Sequence, residues 1–255
     1  MNQPVADENN TEALEQKRKI FSRVDTIRFI ESITRFILAA LFSGGKIFVP
    51  FSPFTASLTA AAGGSAAGVF TLLGGILGYF FAGSLIFALK YIAISFLICV
   101  AAFVFRDTEV SYKVWFMPAV AAFMTLCTGF VYAADAGWTS TATTLLFTET
   151  VLAGGCAYFY KIALSPWSGR LNFEEGAEIQ HTVSVLLFIS TLLISLSGVR
   201  LFGFISFGRI LASLTIFLVA FKCGVGMGCA TGISIGLAMD SAADRKSTRL
   251  NSSHT

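Results

Sequence analysis

The feature that most constrains this chain is a succession of nine apolar runs, at about 30–48, 52–64, 67–82, 84–105, 114–134, 140–162, 182–199, 205–221 and 223–240, joined by short polar links. A helix needs about 20 apolar residues to cross a hydrocarbon core about 30 Å thick. Runs of that size packed nearly end to end leave no polar coat for a domain in water. The charged fraction agrees, at 13% where an ordinary soluble domain carries about 25%. Mean hydropathy is +0.74. The 23 Gly fit the same setting, because glycine is commoner in membrane helices than in soluble ones. The expected fold is therefore all-α, a polytopic transmembrane helix bundle of about nine spans, with eight to ten allowed by loose boundaries. The second and third runs are short and read as tilted, re-entrant or half-spans.

Three regions follow from this pattern. Residues 1–28 form a cytoplasmic polar arm, in which Leu14, Phe21, Val24 and Ile27 recur at helical spacing beside Lys17, Arg18, Lys19, Arg23 and Arg28. That pattern suits an amphipathic helix on the membrane surface and equally a solvated helical lead-in. Residues 29–243 form the transmembrane helical domain. Residues 244–255, from Asp244 to Thr255, match the one-frame translation of a common sequencing adapter and read as an artefact. The expectation is that the native sequence continues differently beyond Ala243. No cleavable signal peptide is evident in the mixed-charge first 27 residues.

Basic residues between spans set the orientation. With Lys17, Arg18 and Lys19 in the cytoplasm, Arg106, Lys113, Lys161, Arg170 and Lys222 fall inside and Asp135 falls outside. Lys46, Arg200 and Arg209 are exceptions. The longest polar connection, about 163–181, lies on the cytoplasmic side and carries Glu174, Glu175, Glu178 and His181. The net charge of +3 is small and its basic residues are scattered, which argues against a nucleic-acid partner. The five Cys lie in apolar stretches and read as small packing residues.

Two constellations stand out. Gly224, Gly228, Gly232 and Gly236 recur every four residues and would form one stripe along a helix, letting another backbone approach closely. Gly64 with Gly68, and Gly74 with Gly78, repeat the pattern more weakly. The second constellation is charge within spans, at Lys90 and Glu149. A charge in hydrocarbon costs a few kcal/mol or more unless paired or hydrated. Either the two pair, or Glu149 lines a polar cavity. The plainer alternative has Lys90 snorkelling and Glu149 protonated or held by Thr148 and Thr150. No paired-His metal site, phosphate-binding loop or nucleophile–base set can be argued, so no catalytic, cofactor or metal residue is assigned and this chain is not expected to be an enzyme by itself.

The ordered motifs bear a family resemblance. Pro53-Phe54, then Lys90-Tyr91, Glu149, Gly198, Arg209-Ile210 and the Gly224–Gly236 run together resemble the N-terminal membrane region of stage II sporulation protein E, a bacterial phosphatase family of endospore formation. The likeness covers about residues 30–240. It departs from the family where Gln180-His181 stand in place of paired glutamates, and where Arg209-Ile210 replaces a basic-Tyr step. The resemblance implies ten spans, then a cytoplasmic region and a metal-dependent serine/threonine phosphatase domain that acts in sigma-factor activation. It implies that this chain localises the enzyme in the bacterial cell membrane, with a cytoplasmic N-terminus. Its implied partners are the bilayer, further copies of itself and division-septum proteins. Manganese or magnesium would belong only to the phosphatase domain. A small-molecule or ion transporter is the alternative, and a membrane sensor with another output domain a third.

Overall fold

The computed structural model describes residues 26–45, 52–82, 85–165, 177–197, 200–201 and 205–243. Most of the polar arm, the centre of the 163–181 connection and the terminal 244–255 stretch lie outside these residues. Nine α-helices and one short 3-10 helix, Glu109–Tyr112, are present among the described residues. The α-helices are α1 (26–42), α2 (Phe54–Ala62), α3 (Ala66–Ala82), α4 (Leu85–Val104), α5 (Phe116–Ala136), α6 (Ser140–Ala163), α7 (Ala177–Leu196), α8 (Phe207–Cys223) and α9 (Val225–Ala243). Each corresponds to one apolar run of the sequence. A two-residue antiparallel ladder pairs Arg200 with Ser206 and Leu201 with Ile205 between α7 and α8.

Three helical segments are long and apolar enough to cross a membrane: Ile86–Val104, Phe116–Asp135 and Ile179–Leu196. Nine full crossings do not follow from helix lengths. The clearest departure is α2, whose nine residues extend about 14 Å at 1.5 Å per residue, less than half of a hydrocarbon core. The 24 residues of α6 are long enough, but its threonines, Glu149 and Lys161 dilute its apolar character.

The short α2 sits at the centre, packed against α3, α4, α5 and α6. Eight of its nine residues are buried. Small side chains make this possible: Ala56 and Ala60 share a core with Tyr91, Ile94, Ile98 and Ala102 of α4 and with Ala121 and Ala157. Its hydroxyls need partners, because a buried polar group without one is costly. Ser57 Oγ donates to the carbonyl of Ala153 at 2.9 Å, tying α2 to α6. Thr59 Oγ1 donates back to the Thr55 carbonyl at 2.9 Å. At Gly63 the chain leaves the helix with φ +66°, a conformation that glycine adopts without a Cβ clash.

A second core joins Ala39 and Phe42 of α1 to Phe54 and Leu58 of α2, Tyr160 of α6 and Ile194 of α7. Aromatic edges dominate it, with Tyr160 and Phe188 T-shaped at 5.3 Å between centroids. Tyr160 keeps its hydroxyl bonded to Thr191 Oγ1 at 2.8 Å. The last two helices form a peripheral hairpin that meets α7 through Leu193, Ala212 and Ile235.

Glycines place two of the crossings. A Cβ on Gly74 would lie 3.0 Å from the Phe36 Cα, and one on Gly78 would lie 2.9 Å from the Ala40 Cα. The backbones of α1 and α3 are therefore close enough to require both glycines, so the pair with the weaker sequence pattern marks the tighter crossing. The Gly224–Gly236 run does not form a single packing stripe within this chain. Gly224 lies outside the helix, with φ +88°, and turns α8 back into α9. A Cβ on Gly228 would lie 2.9 Å from the Ala220 Cα, so α8 approaches closely there. At Gly232 a Cβ would make ordinary contact with Ile216 at 3.7 Å, and at Gly236 it would meet open space. The two antiparallel helices diverge after the turn, so close approach is confined to its first helical step.

Candidate functional site: a buried ion pair and its tyrosine network

Lys90 lies five residues beyond the start of α4 at Leu85, and Glu149 nine residues beyond the start of α6 at Ser140. Each is well inside its helix, where backbone amides and carbonyls are already paired and offer a charge nothing. The fold brings the two together: Lys90 Nζ lies 2.7 Å from Glu149 Oε2. The Glu149 side chain is 1% exposed and that of Lys90 14%. Thr148 and Thr150 do not hold the carboxylate through their hydroxyl donors. Those hydroxyls donate to their own helix, to the carbonyls of Thr144 and Leu146.

Both carboxylate oxygens are occupied. Tyr91 Oη donates a hydrogen bond to Glu149 Oε1. It also accepts from the Ser52 backbone N–H at 3.1 Å. The Ser52 carbonyl in turn accepts from Tyr79 Oη at 2.8 Å. The Tyr79 and Tyr91 rings stack at 5.5 Å, with planes 19° apart. Four parts of the fold thus converge: α3 through Tyr79, α4 through Lys90 and Tyr91, α6 through Glu149, and the residue that leads into Pro53 and the buried α2.

The ammonium has further support. Lys90 Nζ lies 5.2 Å from the ring centroids of both Tyr91 and Tyr132. Cation–π attraction of this kind contributes about 0.5–2 kcal/mol, more where water is excluded. Lys90 also reaches the outer face of the bundle, where it lines a groove of about 620 Å³ between α4 and α5. Chemically the arrangement can hold a charge pair at depth, move a proton along a Tyr–Glu–Lys path, or break and remake the link between α4 and α6.

Reading charges alone misses part of this site. Tyr79, Tyr132 and Ser52 carry no charge, yet a tyrosine hydroxyl within an apolar run needs a partner, and that is the signal that would find them. A second pair within a helix also escapes a search for isolated charges. Arg35, 2% exposed, meets Glu31 at 2.8 Å one turn away on α1. His181 lies at the start of α7, away from Lys90 and Glu149 in sequence. Cys99 is buried, whereas Cys127 and Cys229 are exposed, and these three are free thiols.

Comparison of the chain with protein-family models, with curated proteins and with solved structures finds no match.

Proposed function

We propose that this chain is the membrane region of a protein of the stage II sporulation protein E kind, which anchors, localises and self-associates a cytoplasmic phosphatase and relays signals to it. In this reading the other helices lie in the bilayer beside the three long apolar ones, and about nine crossings and half-crossings make up the bundle. The observation that supports it is where the resembling motifs meet. Pro53 follows Ser52 directly, Lys90-Tyr91 lies on α4 and Glu149 on α6, and Ser52, Lys90, Tyr91 and Glu149 form one buried network. Motifs nearly a hundred residues apart make a physical unit, which is what a shared ancestry of the bundle would preserve. The network joins helices rather than opening a reaction site, so a relay role suits it better than catalysis.

Sequencing the locus through the frame beyond Ala243 tests this. The expected result is a further span, then a phosphatase domain with metal-binding aspartates. A genuine stop, or a second set of spans repeating this bundle, overturns it.

One observation favours a transporter as the second reading. The buried half-helix α2 begins beside an ion pair, as the broken helices of transporters do at their midplane sites. A second repeat beyond Ala243 would favour it.

A further inference from the structure

Lys90 belongs to two environments. Inside the bundle it meets Glu149, and outside it lines the groove between α4 and α5. Both helices are long and apolar enough to cross a membrane, and in a bilayer a groove on their outer face meets acyl chains. Its volume of about 620 Å³ lies within the roughly 300–1,000 Å³ of pockets that take small organic molecules.

The lining is graded along the helices. Lys90, Tyr132 and Asp135 gather where α4 begins and α5 ends, while Ala93 and Leu97 follow deeper along α4. Leu89 is 62% exposed and continues the apolar wall. An occupant must therefore be amphiphilic, with its head at the end that holds both charges. An ammonium has three donors; Glu149 takes one from Lys90, and Tyr91 supplies that carboxylate with a second donor. Asp135 is exposed and takes part in neither ion pair found among the described residues. A cation and an anion at one rim complement a zwitterion. A purely anionic head would gain Lys90 but also meet the repulsion of Asp135, whereas a zwitterion's own ammonium turns that carboxylate into a partner.

We propose that the α4–α5 groove binds a phospholipid with an ethanolamine head, its phosphate on Lys90, its ammonium on Asp135, and an acyl chain along Leu89, Ala93 and Leu97. The site rests on α4 and α5 lying in the membrane and is independent of which output domain the protein carries.

The test equilibrates the full chain in vesicles with equal parts of ethanolamine and glycerol phospholipid, extracts it in mild detergent, and weighs the retained lipids by native mass spectrometry. The wild-type chain should retain the ethanolamine lipid about fivefold over the glycerol lipid, the selectivity that one favourable charge contact provides. Asp135→Asn should bring that ratio close to one, and Ala93→Trp should lower the total retained. Asp135 is exposed, so its variant keeps the test open if the tryptophan variant misfolds. Retention at the bulk ratio by the wild type, or an unchanged preference in Asp135→Asn, overturns the proposal.

Discussion

Lys90 and Glu149 stand 59 positions apart in the chain and 2.7 Å apart in the fold. Neither is stable alone at its depth. The ammonium needs the carboxylate, and the carboxylate needs the ammonium and the Tyr91 hydroxyl together. Because these groups sit on different helices, the pair also fixes how α4 and α6 face one another. Breaking it should therefore do more harm than deleting both charges.

Glu149→Gln, or Lys90→Met, is expected to destabilise the bundle by about 3–5 kcal/mol, because each leaves one buried charge without its partner. The double variant Lys90→Met/Glu149→Gln removes both charges and keeps an acceptor for Tyr91. It should recover most of that loss. Heating in detergent, followed by size-exclusion chromatography, reads the order. A double variant no more stable than either single one would show that the two charges do not depend on each other.

The α1–α3 crossing gives a steric prediction. Gly74→Leu or Gly78→Leu must push apart two backbones, and overpacking of this kind costs about 1–3 kcal/mol or more. Gly236→Leu points into open space within the chain and should leave the melting temperature of the protomer unchanged. If Gly236→Leu instead weakens crosslinked oligomers, the open end of that helix is where copies meet.

The α8–α9 turn gives a conformational one. Gly224 has φ +88°, so Gly224→Ala should destabilise by about 1–3 kcal/mol through backbone strain. Gly226 lies one residue inside α9 with nothing near a Cβ. Gly226→Ala should be neutral or stabilise by about 0.5–1 kcal/mol, since alanine is the better helix former. Equal effects of the two substitutions in a thermal scan would contradict the turn.

Orientation can be read by labelling. The link between α4 and α5 carries Arg106 and Lys113, and Lys161 Nζ reaches the Lys113 carbonyl at 2.9 Å. This basic end should face the cytoplasm under the positive-inside bias. Asp107→Cys should then resist an impermeant maleimide in intact cells, while Asp135→Cys, at the other end of α5, should react. The reverse pattern would invert the bundle. Because native Cys127 and Cys229 are exposed, both are first replaced by serine.

By itself, the sequence determined that the chain is helical, where the nine α-helices of the described residues fall, and that Lys90 and Glu149 had to find compensation. Those properties depend on the composition of contiguous stretches and on the cost of charge in an apolar medium, both of which act locally. Tertiary structure decided which charge met which, because pairing across 59 positions depends on how helices pack. It also decided that α2 is an interior half-helix. Its nine residues look like a weak span in sequence, and only the helices packed around it explain why so many Ser, Thr and Ala side chains belong there. The glycines divide in the same way. Spacing marks where a close approach is allowed, but the neighbouring helix decides whether it occurs, as at Gly74 and Gly78, or leaves open space, as at Gly236.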